Sequence, residues 1–313
     1  MSALSSPAFL IAVAMTAMWS VVTVMLRGVL FNLGFDPWTL AMATMLCAGT
    51  TLLIAAGITS LPLDPLRRWS TWVIGGIRVL TTCCFSAALL YGSATTITLL
   101  STINVLVAGL GVYAAFRRKP RLAELPGFLL IGVGVALLAG ELDGGWSSPA
   151  IKFLLVSETA VVVSSVLTEI HPDNLGDRRQ RLALTGFVTL LSASGLLILW
   201  SLVGLAFPDA ALGPNASDAL KTLASPWLWV AALVFGVAFR APLTYLSFQI
   251  TRLIGADGYM LSMVALPLTT LLAEIVAGET GLLPAPSLDP VHLAYSAIIV
   301  AGGAWIVLTR YRR

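Results

Sequence analysis

Three ionisable residues stand near the middle of long apolar stretches: Arg78 in GGIRVLTTCC, Glu158 in SETAVVVSS, and Arg240. A charge at the centre of a bilayer costs about 2.5–3.5 kcal/mol on insertion scales, so such residues are functional candidates by default. The planar fork of arginine suits a carboxylate or a phosphate. Glu158 can neutralise only one of the two arginines, and an uncompensated buried charge is costly. An anionic group on a substrate would complete the set, and Glu158 could then meet a substrate ammonium or carry a coupling proton.

A structural interpretation competes with this one. Glu158 could pair with either arginine and so join its own helix to the helix of Arg78 or to the helix of Arg240. Further polar side chains on the same helices are candidate ligands of a substrate, and they are Thr82, Asn104, Thr244, Tyr245 and Tyr259. Serine and threonine also commonly join membrane helices to one another, so both interpretations remain open for these side chains.

The composition identifies the class of protein that holds these residues. Of the 313 residues, 58% are hydrophobic and 11% are charged, and the mean hydropathy is +0.93. Soluble domains carry about 25% charged residues. Apolar windows near twenty residues recur along the whole chain, as expected of helices that cross a hydrocarbon layer of about 30 Å. The sequence therefore predicts an all-α integral membrane protein.

Breaks that combine proline, glycine and charged residues separate ten such windows. The predicted spans are 7–29, 38–60, 69–91, 94–116, 125–140, 150–170, 182–206, 227–249, 254–277 and 290–309.

Lysine and arginine set the predicted orientation, because cytoplasmic loops carry an excess of both. Thirteen cations fall on one side of the ten spans, and Arg27, Lys152 and Lys221 fall on the other. We therefore predict a multi-pass protein of the cell inner membrane with both termini in the cytoplasm. The thirteen cytoplasmic cations are Arg67, Arg68, Arg117, Arg118, Lys119, Arg121, Arg178, Arg179, Arg181, Arg252, Arg310, Arg312 and Arg313.

The two mid-membrane arginines are related by an internal repeat. A shift of 162 aligns residues 93–106 with 255–268, and it also aligns Arg78 with Arg240 and Thr82 with Thr244. Each half then carries an arginine with a threonine one helical turn later on the same face. A repeat of five helices has an odd number of crossings, so the second copy enters the membrane inverted. Inverted repeats are characteristic of secondary transporters with binding sites near the midplane, and we predict repeats over 1–146 and 147–313.

The two halves also resemble a known family. The first half contains MWSVVTVMLRGVLFNLGFDPWTLA, ALLYGSATTITLLSTINVLVAGL and GFLLIGVGVALLAG, and the second contains FQITRLIGADGYMLSMVALPLTTLLAEIVAGET and AIIVAGGAWIVL. The small-residue and glycine patterns, with the ending from Pro267 to Gly278 and Glu279, are similar to two copies of the EamA-type unit. That unit belongs to the drug/metabolite transporter superfamily. The resemblance implies a transporter of ten helices in two inverted five-helix repeats.

Other function classes find little support in the sequence. The two histidines, His171 and His292, stand at opposite sides of the predicted membrane, and HExxH, GxSxG and Walker A motifs are absent. We therefore expect no enzyme activity, no cofactor, no metal site and no nucleic-acid partner. The inverted repeat also argues against a channel or a scaffold.

Two transporter hypotheses remain. In the first, alternating access moves a small organic metabolite with an anionic group, such as an amino acid or another carboxylate, and the arginines bind it. In the second, a proton-coupled exporter carries cationic or amphiphilic drugs, Glu158 is the key residue and the arginines are structural. The expected partners are a small-molecule substrate and the lipid bilayer, with a coupling proton as a further candidate under either hypothesis.

Overall fold

The computed structural model of the chain describes residues 7–57, 61–206, 216–284 and 290–311. Residues 58–60 of the second predicted span and the predicted cations Arg312 and Arg313 lie outside these ranges. The α-helices are α1 (Pro7–Leu33), α2 (Pro37–Ala56), α3 (Trp69–Ala88), α4 (Ala94–Ser101), α5 (Ile103–Phe116), α6 (Leu125–Gly140), α7 (Pro149–Glu169), α8 (Pro172–Leu175), α9 (Arg178–Ala206), α10 (Ala216–Ala224), α11 (Pro226–Phe235), α12 (Ala241–Ser262), α13 (Leu266–Glu279) and α14 (Pro290–Tyr311). Gly236–Arg240 forms a π-helical turn, and Met263–Ala265 a 3₁₀ turn.

Within the described ranges, nine helical segments are long and apolar enough to cross a bilayer, and no residue lies in a β-strand. The predicted all-α membrane class is therefore confirmed. One segment, Pro226–Glu279, has 54 residues, more than twice the ~20 that a bilayer requires. The eighth and ninth predicted spans both fall inside it, and the count of ten crossings stays a prediction.

The backbone leaves helical geometry inside this long segment at Gly255, where φ is 78° and ψ is 172°. Glycine adopts this region without the steric cost that a Cβ atom brings. Arg240 and Tyr259, on either side of Gly255, line the same cavity, whereas a straight helix would hold them about 28 Å apart. The chain therefore reverses direction near Gly255, between the eighth and ninth predicted spans.

The helix pairings follow the pattern expected of two related halves. α2 packs against α9, which are the second and seventh predicted spans. α6 packs against α14, which are the fifth and tenth. Helix interruptions recur as well. The shift of 162 relates Ser93, the N-cap of α4, to Gly255, and it relates Thr102, between α4 and α5, to the Met263–Ala265 turn. These features favour the predicted repeat, while its division into 1–146 and 147–313 stays a prediction.

Two glycines allow close helix packing beside the mid-membrane arginines. A Cβ atom on Gly75 of α3 would lie 2.8 Å from the carbonyl oxygen of Val188 in α9. A Cβ atom on Gly236 would lie 2.7 Å from the carbonyl oxygen of Thr44 in α2. Small residues commonly permit such approach between membrane helices. These contacts hold α3 against α9 and the π-helical turn against α2.

Candidate functional site

A cavity of about 80 Å³ lies between α1, α3, α4, α5, α7 and the chain from Arg240 to Leu266. Most of its wall is apolar, with Leu26, Phe85 and Met260 among its members. Of the eight ligands predicted from the sequence, Arg78, Thr244 and Tyr245 do not line the cavity. Those that do are Thr82, Asn104, Glu158, Arg240 and Tyr259.

Arg240 is the last residue of the π-helical turn and is followed closely by Pro242. Proline has no N–H, and its ring clashes with the carbonyl four residues earlier, so regular α-helix is disfavoured at this point. The wider turn gives way to α12 immediately after Arg240. Nη2 of Arg240 donates a hydrogen bond to Oγ1 of Thr82. Its guanidinium carbon lies 5.2 Å from the centre of the Trp19 ring, within the range of a cation–π interaction.

Arg78 stands in the regular part of α3, and its contacts are with α12. Its Nη2 donates a hydrogen bond of 2.7 Å to Oγ of Ser247, and its guanidinium carbon lies 4.6 Å from the centre of the buried Phe248 ring. It also interacts electrostatically with Tyr259, whose side chain reaches the cavity wall. Arg78 therefore supports the cavity from behind rather than facing it.

Glu158 of α7 is buried, with 5% of its surface exposed. Nδ2 of Asn104 donates a hydrogen bond of 3.0 Å to its carboxylate, and Oγ of Ser157 lies 3.4 Å from the other carboxylate oxygen. The orientation of the Asn104 amide follows from the first bond, because the reverse would set two acceptors against each other. No salt bridge joins Glu158 to Arg78 or Arg240. The structural Arg–Glu pair, the competing interpretation of the sequence, is therefore not formed.

Thr244 and Tyr245 belong to other contacts. The carbonyl oxygen of Thr244 accepts a hydrogen bond of 2.7 Å from Oγ of Ser247. The Tyr245 ring lies 5.9 Å from the guanidinium carbon of Arg181 and packs on the apolar cluster between α2 and α9. Thr244 follows Arg240 by one turn, yet only Arg240 lines the cavity.

The cavity residues that were not among the sequence predictions include two with unpartnered hydroxyls, Thr23 of α1 and Ser86 of α3. Both are buried, and neither hydroxyl oxygen has a hydrogen-bond partner. Ser86 follows Thr82 by four residues and so shares its helix face. That spacing was the available signal for Ser86, whereas no residue predicted from the sequence marked the face of α1 that carries Thr23.

About two helical turns beyond Leu266 of the cavity wall, α13 carries the fully buried carboxylate of Glu274, which together with its partners forms the Glu274 end. Nη1 of Arg27 lies 3.0 Å from it. The backbone N–H groups of Ala94 and Thr95, at the start of α4, donate to the same carboxylate at 3.0 and 2.9 Å. A carboxylate at a helix N-terminus satisfies N–H groups that have no partner within the helix and interacts favourably with the helix dipole.

About two helical turns beyond Val161 of the cavity wall, α7 carries Glu169, which together with its partners forms a similar cluster, the Glu169 end. The N–H of Ala256, just after the reversal at Gly255, donates to Glu169 at 2.7 Å, and Nη1 of Arg118 lies 2.8 Å from it. Arg310 of α14 adds a second ion pair there, 2.7 Å from Asp257. Since the shift of 162 relates Ala94 to Ala256, a carboxylate and an arginine close the same helix start in both predicted halves.

Comparison with known proteins supports the predicted family. Residues 6–140 match the EamA-like transporter family, which confirms the resemblance inferred from the sequence for the first half of the chain. A solved structure described only as "Crystal structure of protein" is 19% identical, with a TM-score of 0.62 over 98% of this chain and 99% of that chain. At this identity the likeness concerns the fold alone. No curated protein matches the sequence.

Proposed function

Because its first half matches a family of drug/metabolite membrane transporters, we propose that this chain is a secondary transporter for a small organic metabolite with an anionic group. Amino acids and other carboxylates are the favoured substrates. Arg240 binds the anionic group, Thr82 and Trp19 hold Arg240 in position, and Glu158, Asn104 and Tyr259 complete the polar wall. Arg78 supports Tyr259 from behind.

The unpaired state of Arg240 is the observation that carries this proposal. Its guanidinium reaches the cavity, and within the described chain it forms no salt bridge with a carboxylate. A buried cation without a partner is costly, and arginine binds carboxylates with two parallel hydrogen bonds. A substrate anion would supply the missing partner.

We propose that alternating access uses the Glu274 end and the Glu169 end in turn. The Glu274 end and the Glu169 end are each held by an ion pair at a helix start, so release of one end at a time would expose the cavity to one side of the membrane. Inverted repeats commonly move in this way around a central site. We propose that the halves 1–146 and 147–313 do so, with both termini on the cytoplasmic side of an inner membrane.

A second candidate rests on Glu158, which faces a largely apolar cavity without a cationic side chain as partner. A proton-coupled exporter of cationic or amphiphilic drugs would use this carboxylate. The arginines would then be structural.

Exchange across proteoliposomes separates the two candidates. Purified protein is reconstituted and screened for exchange of radiolabelled amino acids, organic anions and organic cations, with and without an imposed proton gradient. We expect saturable exchange of an anion-bearing metabolite that Arg240→Ala abolishes. Proton-driven movement of a cation that Glu158→Gln alone abolishes, with transport unchanged in Arg240→Ala, would instead establish the exporter.

A further inference from the structure

Three buried polar atoms that have no hydrogen-bond partner belong to residues that line the cavity beside Arg240 and Glu158. They are Oγ1 of Thr23, Oγ of Ser86 and Oδ1 of Asn104, on residues that are 1%, 0% and 8% exposed. More than nine in ten buried polar groups in native structures are hydrogen-bonded, so each exception needs an explanation. Three exceptions from three helices around one cavity point to a polar group of a ligand.

The chemistry of these atoms restricts the ligand. An amide oxygen can only accept hydrogen bonds, while hydroxyls can donate or accept. Asn104 also donates to Glu158, which brings a carboxylate beside the unpartnered oxygen. This part of the wall therefore offers one amide oxygen, one carboxylate and two hydroxyls that can also accept. A ligand group that fits it carries several N–H bonds and a positive charge.

The charges that face the cavity support the same conclusion. Arg78 is bound behind the wall to Ser247, so the lining charges are Arg240 and Glu158, one of each sign. A plain anion would leave Glu158 without a counter-charge, and a plain cation would leave Arg240 without one. A ligand with one charge of each sign complements both.

We propose that Glu158, Asn104, Thr23 and Ser86 form a subsite for a primary ammonium group of the substrate. This proposal rests on the proposed function, in which Arg240 binds the anionic group, and it narrows the substrate to a zwitterion. The ammonium donates to the Glu158 carboxylate, to Oδ1 of Asn104 and to a neighbouring hydroxyl. Ordered water or a proton on Glu158 are the competing occupants.

Matched ligands test the subsite on the unaltered protein. Titration calorimetry compares an amino acid, its N-trimethyl derivative, the carboxylate without the nitrogen and the amine without the carboxylate, on the carbon skeletons of alanine, leucine and phenylalanine. On at least one skeleton we expect the amino acid to bind tightest. Trimethylation removes every N–H bond but keeps the charge, and a loss of about tenfold or more in affinity is expected from it.

Variants assign the effect to named atoms. Thr23→Val and Ser86→Ala remove the unpartnered hydroxyls with little change of shape, and together they should weaken the amino acid several-fold without weakening the plain carboxylate. Ser101→Ala is the matched control, because Ser101 also lines the cavity but already donates to Thr98 at 2.8 Å. Thermal unfolding of each variant verifies that it is folded.

The outcomes separate the two proposals. Equal affinity for the amino acid, its trimethyl derivative and the plain carboxylate would overturn the ammonium subsite and leave Arg240 as an anion site, with water on the unpartnered atoms. Binding of the amines alone, unaffected by Arg240→Ala, would overturn the proposed function and keep the subsite. Absence of binding across all three skeletons would overturn both.

Discussion

The two mid-membrane arginines occupy positions that the sequence makes equivalent, yet their surroundings differ. Arg240 faces the cavity beside Thr82 and Trp19. Arg78 faces α12, where Ser247 accepts its hydrogen bond and the Phe248 ring lies under it. Two positions of the predicted repeat can therefore keep the same residue type and still have different roles. One arginine is available to a ligand, and the other holds two helices together.

The local backbone accounts for the difference. Arg78 lies in uninterrupted α-helix, whereas Arg240 ends a π-helical turn ahead of Pro242. A π-helical turn changes the direction in which the residues after it point, and such turns are frequent at functional sites. The side chain at this position is therefore aimed by backbone hydrogen bonding.

Loss of the cavity arginine should have the largest effect. Breaking a buried charge pair costs about 3–5 kcal/mol, so Arg240→Ala should weaken an anionic ligand by a hundredfold or more. Titration calorimetry with the best ligand from the exchange screen measures this. Arg78→Ala is the matched control and should retain most of the affinity. Equal losses in the two variants would mean that both arginines serve the ligand.

Restoration of a regular helix at the π-helical turn should come next. Pro242→Ala supplies the N–H that proline lacks, so the turn can relax to α-helix and rotate Arg240 away from Thr82. We expect affinity for the anionic ligand to fall about tenfold, or about 1.4 kcal/mol. Pro267→Ala is the control, since that proline also lies in the first turn of its helix, α13, but follows a 3₁₀ turn instead of a π-helical one. Unchanged affinity in Pro242→Ala would show that Pro242 does not aim Arg240.

Removal of the hydrogen-bond acceptor of each arginine should affect different properties, protein stability for Arg78 and ligand affinity for Arg240. Ser247→Ala leaves a partly buried donor of Arg78 without its partner, at a cost toward the lower end of the ~1–3 kcal/mol of a fully buried donor. The unfolding temperature should drop while ligand affinity is kept. Thr82→Val removes the acceptor of Arg240 and should lower affinity more than it lowers the unfolding temperature. If both variants lose only stability, Arg240 is structural too.

The aromatic neighbours should give the smallest effect. A cation–π contact contributes about 0.5–2 kcal/mol, so Trp19→Leu should weaken the anionic ligand a few-fold in the same titration. Phe248→Leu, beneath Arg78, should leave affinity unchanged and reduce thermal stability. A reversed result would exchange the roles assigned to the two arginines.

The helix that carries each candidate charge could be predicted from the sequence, but the direction of its side chain around that helix could not. The cost of a charge in hydrocarbon identified Arg78, Glu158 and Arg240, and hydropathy located their helices. The contacts of Thr244 depend on backbone geometry after the π-helical turn, for which Pro242 was the only signal. Periodicity assumes a regular helix and is therefore misleading beyond such a turn.

The unpartnered hydroxyls were missed for a different reason. Most hydroxyls in these helices bond the carbonyl one turn earlier, as Thr16 does to Ala12 and Ser194 to Leu190. A sequence cannot distinguish these from Thr23 and Ser86, whose oxygens lack any partner. Only the three-dimensional arrangement distinguishes a hydroxyl that bonds its own helix from one that has no hydrogen-bond partner.

The π-helical turn also lies where the offset between the two predicted halves changes by one residue. Gly75 and Gly236 make the same close approach, to α9 and to α2, and they differ by 161 positions, whereas Ser93 and Gly255 differ by 162. A π-helical turn is what remains in a helix when one residue is added without a break. If the halves descend from one duplicated gene, a single inserted codon between Gly236 and Ala241 explains the change of offset. That insertion would have converted a pair of identical arginines into one that packs and one that binds.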